Sequence, residues 1–136
     1  MRTSVDTNIL SALWSNEPGA ADIAKRLSEA KQLGALLVSG VVYAELLAYP
    51  RASEEFVKGF FAQTGISLDL QFEDAVWSEA GTRFARYANR RRRAEHEGPK
   101  RLLADFLVGA HALIQAERLM TLDPVRYRQD FPELQL

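Results

Sequence analysis

Cysteine is absent from the chain, which excludes both a disulfide framework and a thiolate metal site. An excess of one charge is absent as well. Seventeen basic against 18 acidic residues leave a formal net charge of −1, so nothing global signals nucleic-acid binding, although local patches survive such a sum. Long apolar runs are missing too, since no stretch approaches the roughly 20 residues needed to cross a bilayer. The start, Met1-Arg2-Thr3-Ser4-Val5-Asp6, reaches an acid before an apolar run long enough for a signal peptide can form. Repeats, linkers and low-complexity tracts do not interrupt the 136 residues, so the expectation is one soluble, cytoplasmic domain over 1–136.

What is present is a chain that is 47% hydrophobic and 26% charged, enough apolar material for a sizeable core. Short apolar runs alternate with helical patterns. A strand closing at Val5 precedes a helix over Thr7 to Trp14. A second helix runs from about Ala20 to Leu33, with Ile23, Leu27 and Ala30 on one face, and Gly34 stops it. The run Ala35 to Ser39 reads as a buried parallel strand. Helices follow over Val41 to Tyr49 and from Ser53-Glu54-Glu55 to about Thr64, then a strand over Ile66 to Leu68. A long helix covers about Phe72 to Arg93, a loop Glu95 to Pro99, and a nearly all-apolar helix Ala104 to Glu117. A strand over Leu119 to Leu122, a short helix over Pro124 to Gln129 and an edge strand over Leu134 to Leu136 complete the order. Alternating strands and helices imply an α/β fold with a mainly parallel sheet covered on both faces.

Four carboxylates, Asp6, Glu45, Asp105 and Asp123, sit near strand-to-helix handovers, where parallel α/β folds place their chemistry. Each also has a plain structural reading. Asp6 and Asp123 suit helix N-caps, Asp123 with proline behind it, and Asp105 suits the first turn of its helix. Glu45 is harder to explain that way, because Val41, Val42, Ala48 and Tyr49 surround it at helical spacing and a buried unpaired charge is costly. Converging, the four acids would repel one another by roughly 3 kcal/mol per close pair unless a cation held them. Oxygen donors without cysteine, and with only two histidines, point to Mg²⁺ or Mn²⁺ over Zn²⁺. Such an ion orients a phosphodiester, lowers the pKa of a bound water and stabilises a leaving oxygen.

The segments Val5-Asp6-Thr7-Asn8-Ile9-Leu10, Val42-Tyr43-Ala44-Glu45-Leu46, Leu103 to Ala112, and Leu119-Met120-Thr121-Leu122-Asp123 continuing through Arg126-Tyr127 to Phe131-Pro132 span nearly the whole sequence. In these segments the chain resembles a PIN-domain ribonuclease, specifically a VapC-type toxin of a toxin–antitoxin pair. The resemblance implies a three-layer α/β/α fold, Mg²⁺- or Mn²⁺-dependent cleavage of RNA, homodimerisation and inhibition by a VapB-like antitoxin. It further implies that Asp6, Glu45, Asp105 and Asp123 are the catalytic metal ligands, with Asn8 and Thr121 in support. Glu45 stays open between ligand and general base. Nothing carries over onto the tract Asn89 to Pro99.

Arg83, Arg86, Arg90 and Arg93 recur at three- and four-residue steps and suggest a phosphate-tracking ridge for RNA. The competing reading is a solvated face neutralised by Glu79, Glu95 and Glu97. Trp77, Ala80, Phe84 and Ala88 are expected on the core side of the same helix. His111 reads as a satisfied core histidine, His96 as a loop residue, and Trp14 as a core or dimer-interface residue. Two other function classes remain. A haloacid-dehalogenase-like phosphohydrolase would use Asp6 as nucleophile, but that pattern is Asp-x-Asp, whereas this chain has Asp6-Thr7-Asn8. A non-catalytic PIN-like binding module has no reason to keep four mutually repelling acids.

Overall fold

The computed structural model describes every residue except Glu97 and Pro99. In chain order the elements are β1 (Thr3–Val5), α1 (Thr7–Trp14), α2 (Ala20–Leu33), β2 (Leu36–Ser39), α3 (Gly40–Leu46), α4 (Glu54–Thr64), β3 (Ile66–Asp69), α5 (Asp74–Arg93), α6 (Leu103–Gln115), β4 (Arg118–Met120) and α7 (Pro124–Asp130). The four strands form one parallel sheet in the order β3-β2-β1-β4. Helices flank it in a three-layer α/β/α arrangement. Among them α5 packs on α6, α6 lies against β1 and β4, and α1 packs on α2 and α3.

That order positions the site. The chain steps outward from β1 to β2 to β3, then returns across β1 to add β4 on its other side. A crevice opens beyond the carboxyl ends of β1 and β4, where such a reversal leaves adjacent connections running apart. The amide of Asp6 donates to the Met120 carbonyl at 2.9 Å, joining the two strand ends. Central β1 is buried throughout although two of its residues are polar. Thr3 accepts from Arg118 Nε at 2.7 Å, and Ser4 bonds His111 Nδ1 at 3.2 Å, so both hydroxyls are satisfied as burial demands.

Several expectations shift. The helix expected to reach Tyr49 ends at Leu46, and the amides of Ala48 and Tyr49 bond three residues back instead of four. Pro50 disfavours helical geometry just before it, so the final turn tightens. On α5 the buried stripe is Val76 and Ala80, continued by half-buried Phe84 and Tyr87, while Trp77 is 56% exposed and leans on Phe72 at 5.3 Å. Ala80 and Phe84 face the core as expected, and Val76 takes the place expected of Trp77. The chain end forms a single parallel bridge, Arg118 to Gln135, in place of an edge strand. Glu97 and Pro99, part of the expected loop, lie outside the described residues.

Two glycines are required by close approach. A Cβ on Gly34 would stand 1.9 Å from the Met1 carbonyl oxygen, and the Met1 amino group donates to Leu33 O beside it. A Cβ on Gly109 would stand 2.4 Å from the Phe131 ring. That ring seals α6 against α7 in an aromatic layer, with Phe106 tilted against it 6.2 Å away and flanked by Phe84 and Tyr87.

Candidate functional site

Asp6 sits at the N-cap of α1, directly after β1, and is almost fully buried. Its Oδ1 accepts from the Thr7 amide at 2.8 Å; its Oδ2 accepts from the Thr121 hydroxyl at 2.8 Å and the Tyr127 hydroxyl at 3.1 Å. Three donors still do not offset burial. Desolvation, with a smaller push from Asp105, raises the Asp6 pKa above the ordinary carboxylate range. Tyr127 shifts in the same direction: burial and the charges of Asp6 and Asp105 drive its phenol far above its usual range, so it remains a proton donor.

Glu45 projects from α3 toward the same place. Its Oε1 accepts from the Thr7 hydroxyl at 2.7 Å. Although it is partly exposed, desolvation raises its pKa first, followed by the charges of Asp6 and Asp105, with Arg126 acting the other way. Asp105, in the first turn of α6, accepts on Oδ2 from the Leu102 amide at 3.1 Å and from Arg126 Nη2 at 3.2 Å. It therefore does perform the structural task anticipated for it, while also pressing electrostatically on Asp6 and Glu45.

Asp123 differs. It occupies the N-cap of α7 ahead of Pro124, but its carboxylate makes no capping bond and is exposed. It lines a cleft together with Arg101, Leu122, Pro124, Val125 and Arg126. Asp6, Glu45 and Asp105 press on one another electrostatically, and Asp123 lines an adjoining cleft, its amide joined to Asp6 through the Thr121 hydroxyl. Among the described residues, no three acidic or histidine side chains stand close enough together to hold a metal ion. The donor chemistry nevertheless fits a hard divalent cation. Mg²⁺ keeps several waters and needs only one or two carboxylates, and the neighbouring acid charges add to the desolvation that raises the Asp6 and Glu45 pKa values, a burden a cation would relieve.

Asn8 and Thr121 brace this arrangement. Thr121 Oγ1 donates to Asp6 and accepts from the Asp123 amide at 3.1 Å and from Asn8 Nδ2 at 3.4 Å. Asn8 Oδ1 accepts from the Leu122 amide at 3.1 Å. One hydroxyl and one carboxamide therefore tie the end of β4 to the start of α1.

The arginine stripe of α5 does not behave as a uniform ridge. Arg83 is largely buried, donates to Glu79 at 2.9 Å and to the Asp130 carbonyl, pairs with Glu133, and lies 4.6 Å over the Phe131 ring. Arg90 pairs with the buried Asp130, which Arg101 engages from the other side. Positions 76, 80, 83, 87 and 90 share the inward face of the helix, and this explains why Arg90 reaches the buried Asp130 carboxylate and Arg83 the Asp130 carbonyl. Arg86 and Arg93 are exposed. Glu97, one acid expected to neutralise the stripe, lies outside the described residues. His111 is fully buried between Ser4 and Asp69, the satisfied core histidine foreseen. Trp14 is half-buried, edge-on to Tyr49, Phe56 and Phe60.

Residues 4–132 match the family model of the PIN domain. The chain belongs to the PIN domain family. No curated protein matches its sequence. Among solved structures it is similar to a chain of VapBC2 from Rickettsia felis bound to a DNA fragment from their promoter, with 19% identity, 100% of this chain and 97% of that one covered, and a TM-score of 0.71. It is similar as well to a chain of VapBC-1 from nontypeable Haemophilus influenzae, with 24% identity, 99% and 96% coverage, and a TM-score of 0.64. At such identities the likeness is one of fold.

Within this PIN domain, sequence reasoning assigned no role to Thr7, Tyr127, Arg126 or Arg101. Only Tyr127 left a usable signal: a phenol on a short helix just beyond an acid needs a buried acceptor once its ring packs inside.

Proposed function

We propose that this PIN domain, spanning 1–136, is a VapC-type toxin. It is a Mg²⁺- or Mn²⁺-dependent endoribonuclease that acts in the cytoplasm as a homodimer and is restrained by a VapB-like antitoxin. The observation that carries the reading is the trio Asp6, Glu45 and Asp105. They come from three distant segments, press on one another beside the β1/β4 crevice, and have Arg126, paired with Asp105, as the cation that answers them. Supporting it are the family membership and the fold likeness to two VapBC proteins. PIN domains in general use divalent metal ions. No helix is long and apolar enough to cross a membrane among the described residues.

In this reading Asp6 and Asp105 would hold the cation with Asp123 from the adjoining cleft, and Glu45 would either join them or take the proton of the attacking water. When bound, the cation supplies positive charge to the scissile phosphate and acidifies water. Water oxygen bonds to phosphorus in line as the opposite P–O bond breaks, and the departing oxygen takes a proton. Thr7 orients the Glu45 carboxylate, and Thr121 and Tyr127 fix that of Asp6. Asn8 holds Thr121 in place, while exposed Arg86 and Arg93 remain available to track the RNA backbone.

A covalent aspartyl mechanism gains no support, because both Asp6 oxygens already accept hydrogen bonds and position 8 carries an amide committed to Leu122 and Thr121. The test is expression of the parent and of Asp105→Asn in a bacterial host lacking antitoxin, followed by sequencing of RNA 5′ ends. Growth arrest and new ends from the parent alone are expected. Identical growth and identical ends would contradict the proposal, and unchanged partner binding by Asp6→Asn without any RNA cleavage by the parent would leave only a binding module.

A further inference from the structure

We infer that the cleft beside the acidic trio is a nucleotide subsite, in which Arg126 and Arg101 take an RNA backbone phosphate and Leu122, Pro124 and Val125 receive the adjoining base. The inference rests on the nuclease reading above and names where the strand flanking the cut lies.

The cleft measures about 410 Å³, within the range of small-molecule sites. Its walls divide by chemistry: guanidinium groups from Arg101 and Arg126 on one hand, an apolar surface of Leu122, Pro124 and Val125 on the other. Leu122 is 43% exposed and Val125 73% exposed, so an apolar surface stands open to water directly beside fixed cations. A nucleotide offers the complementary pair, an anionic phosphate next to a flat, weakly polar base.

The cations are not simply neutralised. Asp130 is one buried carboxylate shared by two arginines, Arg90 and Arg101, so that trio carries 2 − 1 = +1 net charge. Its burial also holds Arg101 in a fixed orientation, which suits a guanidinium meant to receive phosphate. Arg126 is held differently, with 37% of its side chain exposed and a partner, Asp105, that belongs to the acidic trio. A divalent cation on Asp105 would draw charge from the carboxylate that Arg126 engages through Oδ2 and so loosen the guanidinium toward a phosphate. Cation loading and RNA engagement are thereby coupled through one side chain. Of the lining residues only Asp123 is acidic, and the same cation charge screens it from the phosphate.

The test uses the full chain, a 5′-fluorescein-labelled 20-nucleotide single-stranded RNA of mixed sequence, and fluorescence anisotropy in EDTA and in Ca²⁺ at several salt concentrations. Cleavage of the same RNA is followed in parallel with Mn²⁺. Arg126→Ala is expected to weaken binding in Ca²⁺ about tenfold and to reduce the salt slope by about 0.7, the share of one phosphate on a single strand. Arg126→Lys should restore the slope but only part of the affinity, because it keeps the charge without the fork. Val125→Glu, at an exposed position that the fold does not need, should weaken binding without unfolding the chain. Asp105→Asn should tighten binding in EDTA, and adding Arg126→Ala should abolish that gain.

Parent-like binding and slope in both Arg126→Ala and Val125→Glu would overturn the subsite, as would the absence of RNA binding by the parent. If the parent cleaves RNA while those variants bind and cut like it, the subsite falls and the nuclease reading stands. If the parent binds RNA through Arg126 but cuts nothing with Mn²⁺, the subsite stands and the nuclease reading falls.

Discussion

Replacing Tyr127 with Phe removes one oxygen atom from the back of the acidic site and leaves the ring in place. That oxygen donates to Asp6 Oδ2 at 3.1 Å, inside a region where both residues are almost fully buried. Hydrogen bonds to charged groups contribute roughly 1.5–3 kcal/mol, about twice a neutral pair. Phe keeps the packing against Phe131, so the cavity contribution is small. Asp6 retains Thr7 N and the Thr121 hydroxyl, which places the expected loss near the lower end, about 1.5–2 kcal/mol. Urea unfolding of the parent and Tyr127→Phe in EDTA, with linear extrapolation to water, measures it. The decisive arm repeats both in an Asp6→Asn background, where the Tyr127→Phe loss should shrink by at least half. A loss below about 0.5 kcal/mol, or one of the same size with and without the Asp6 carboxylate, refutes the assignment of Tyr127 as a donor that stabilises a strained carboxylate.

Glu45→Gln keeps an acceptor for Thr7 but removes a charge that Asp6 and Asp105 oppose. Metal-free stability should therefore rise by about 0.5–1 kcal/mol, modest because Glu45 is partly exposed. Stabilisation by Mn²⁺, about 2.7 kcal/mol at a hundredfold excess over Kd for the parent, should shrink in the same variant; unchanged melting in both conditions contradicts the repulsion argument. Gly109→Ala forces a methyl into the Phe131 ring and should cost about 1–3 kcal/mol by thermal unfolding, with parent-like melting as the contrary result. Arg83→Ala should lower stability by about 1–3 kcal/mol while leaving RNA affinity intact, since Arg83 serves Glu79, Glu133 and the Asp130 carbonyl. An RNA-binding defect without a stability defect would restore the ridge.

The strand–helix alternation was readable because short apolar runs, capping residues and Gly34 all point to the same boundaries. Asp6 was readable for a related reason: an acid between a buried strand and a helix has few places to go. Glu45 was flagged by its apolar neighbours at helical spacing, and the structure places it against the two other acids. That the Asp123 carboxylate stands exposed and makes no capping bond was not readable, because Asp before Pro at a helix start looks like an ordinary N-cap in sequence. Nor was the division of the α5 arginines. Arg83 and Arg86 look alike in sequence, yet Arg83 falls beside the buried stripe and turns to Glu79, Glu133 and the Asp130 carbonyl while Arg86 is left in solvent. Tyr127 and Arg126 escaped because their partners, Asp6 and Asp105, lie 121 and 21 positions away, and such pairings emerge only after folding.

Recruitment of a divalent cation by the acidic trio beside β1 and β4 is what RNA hydrolysis by this domain would require. Cleavage of purified RNA by the parent and by Asp6→Asn, titrated with Mn²⁺ from zero after EDTA treatment, addresses that directly. The account predicts no cleavage without Mn²⁺, saturable cleavage by the parent as it is added, and none by Asp6→Asn at any concentration. Cleavage in EDTA, or parent-like cleavage by Asp6→Asn, would contradict it.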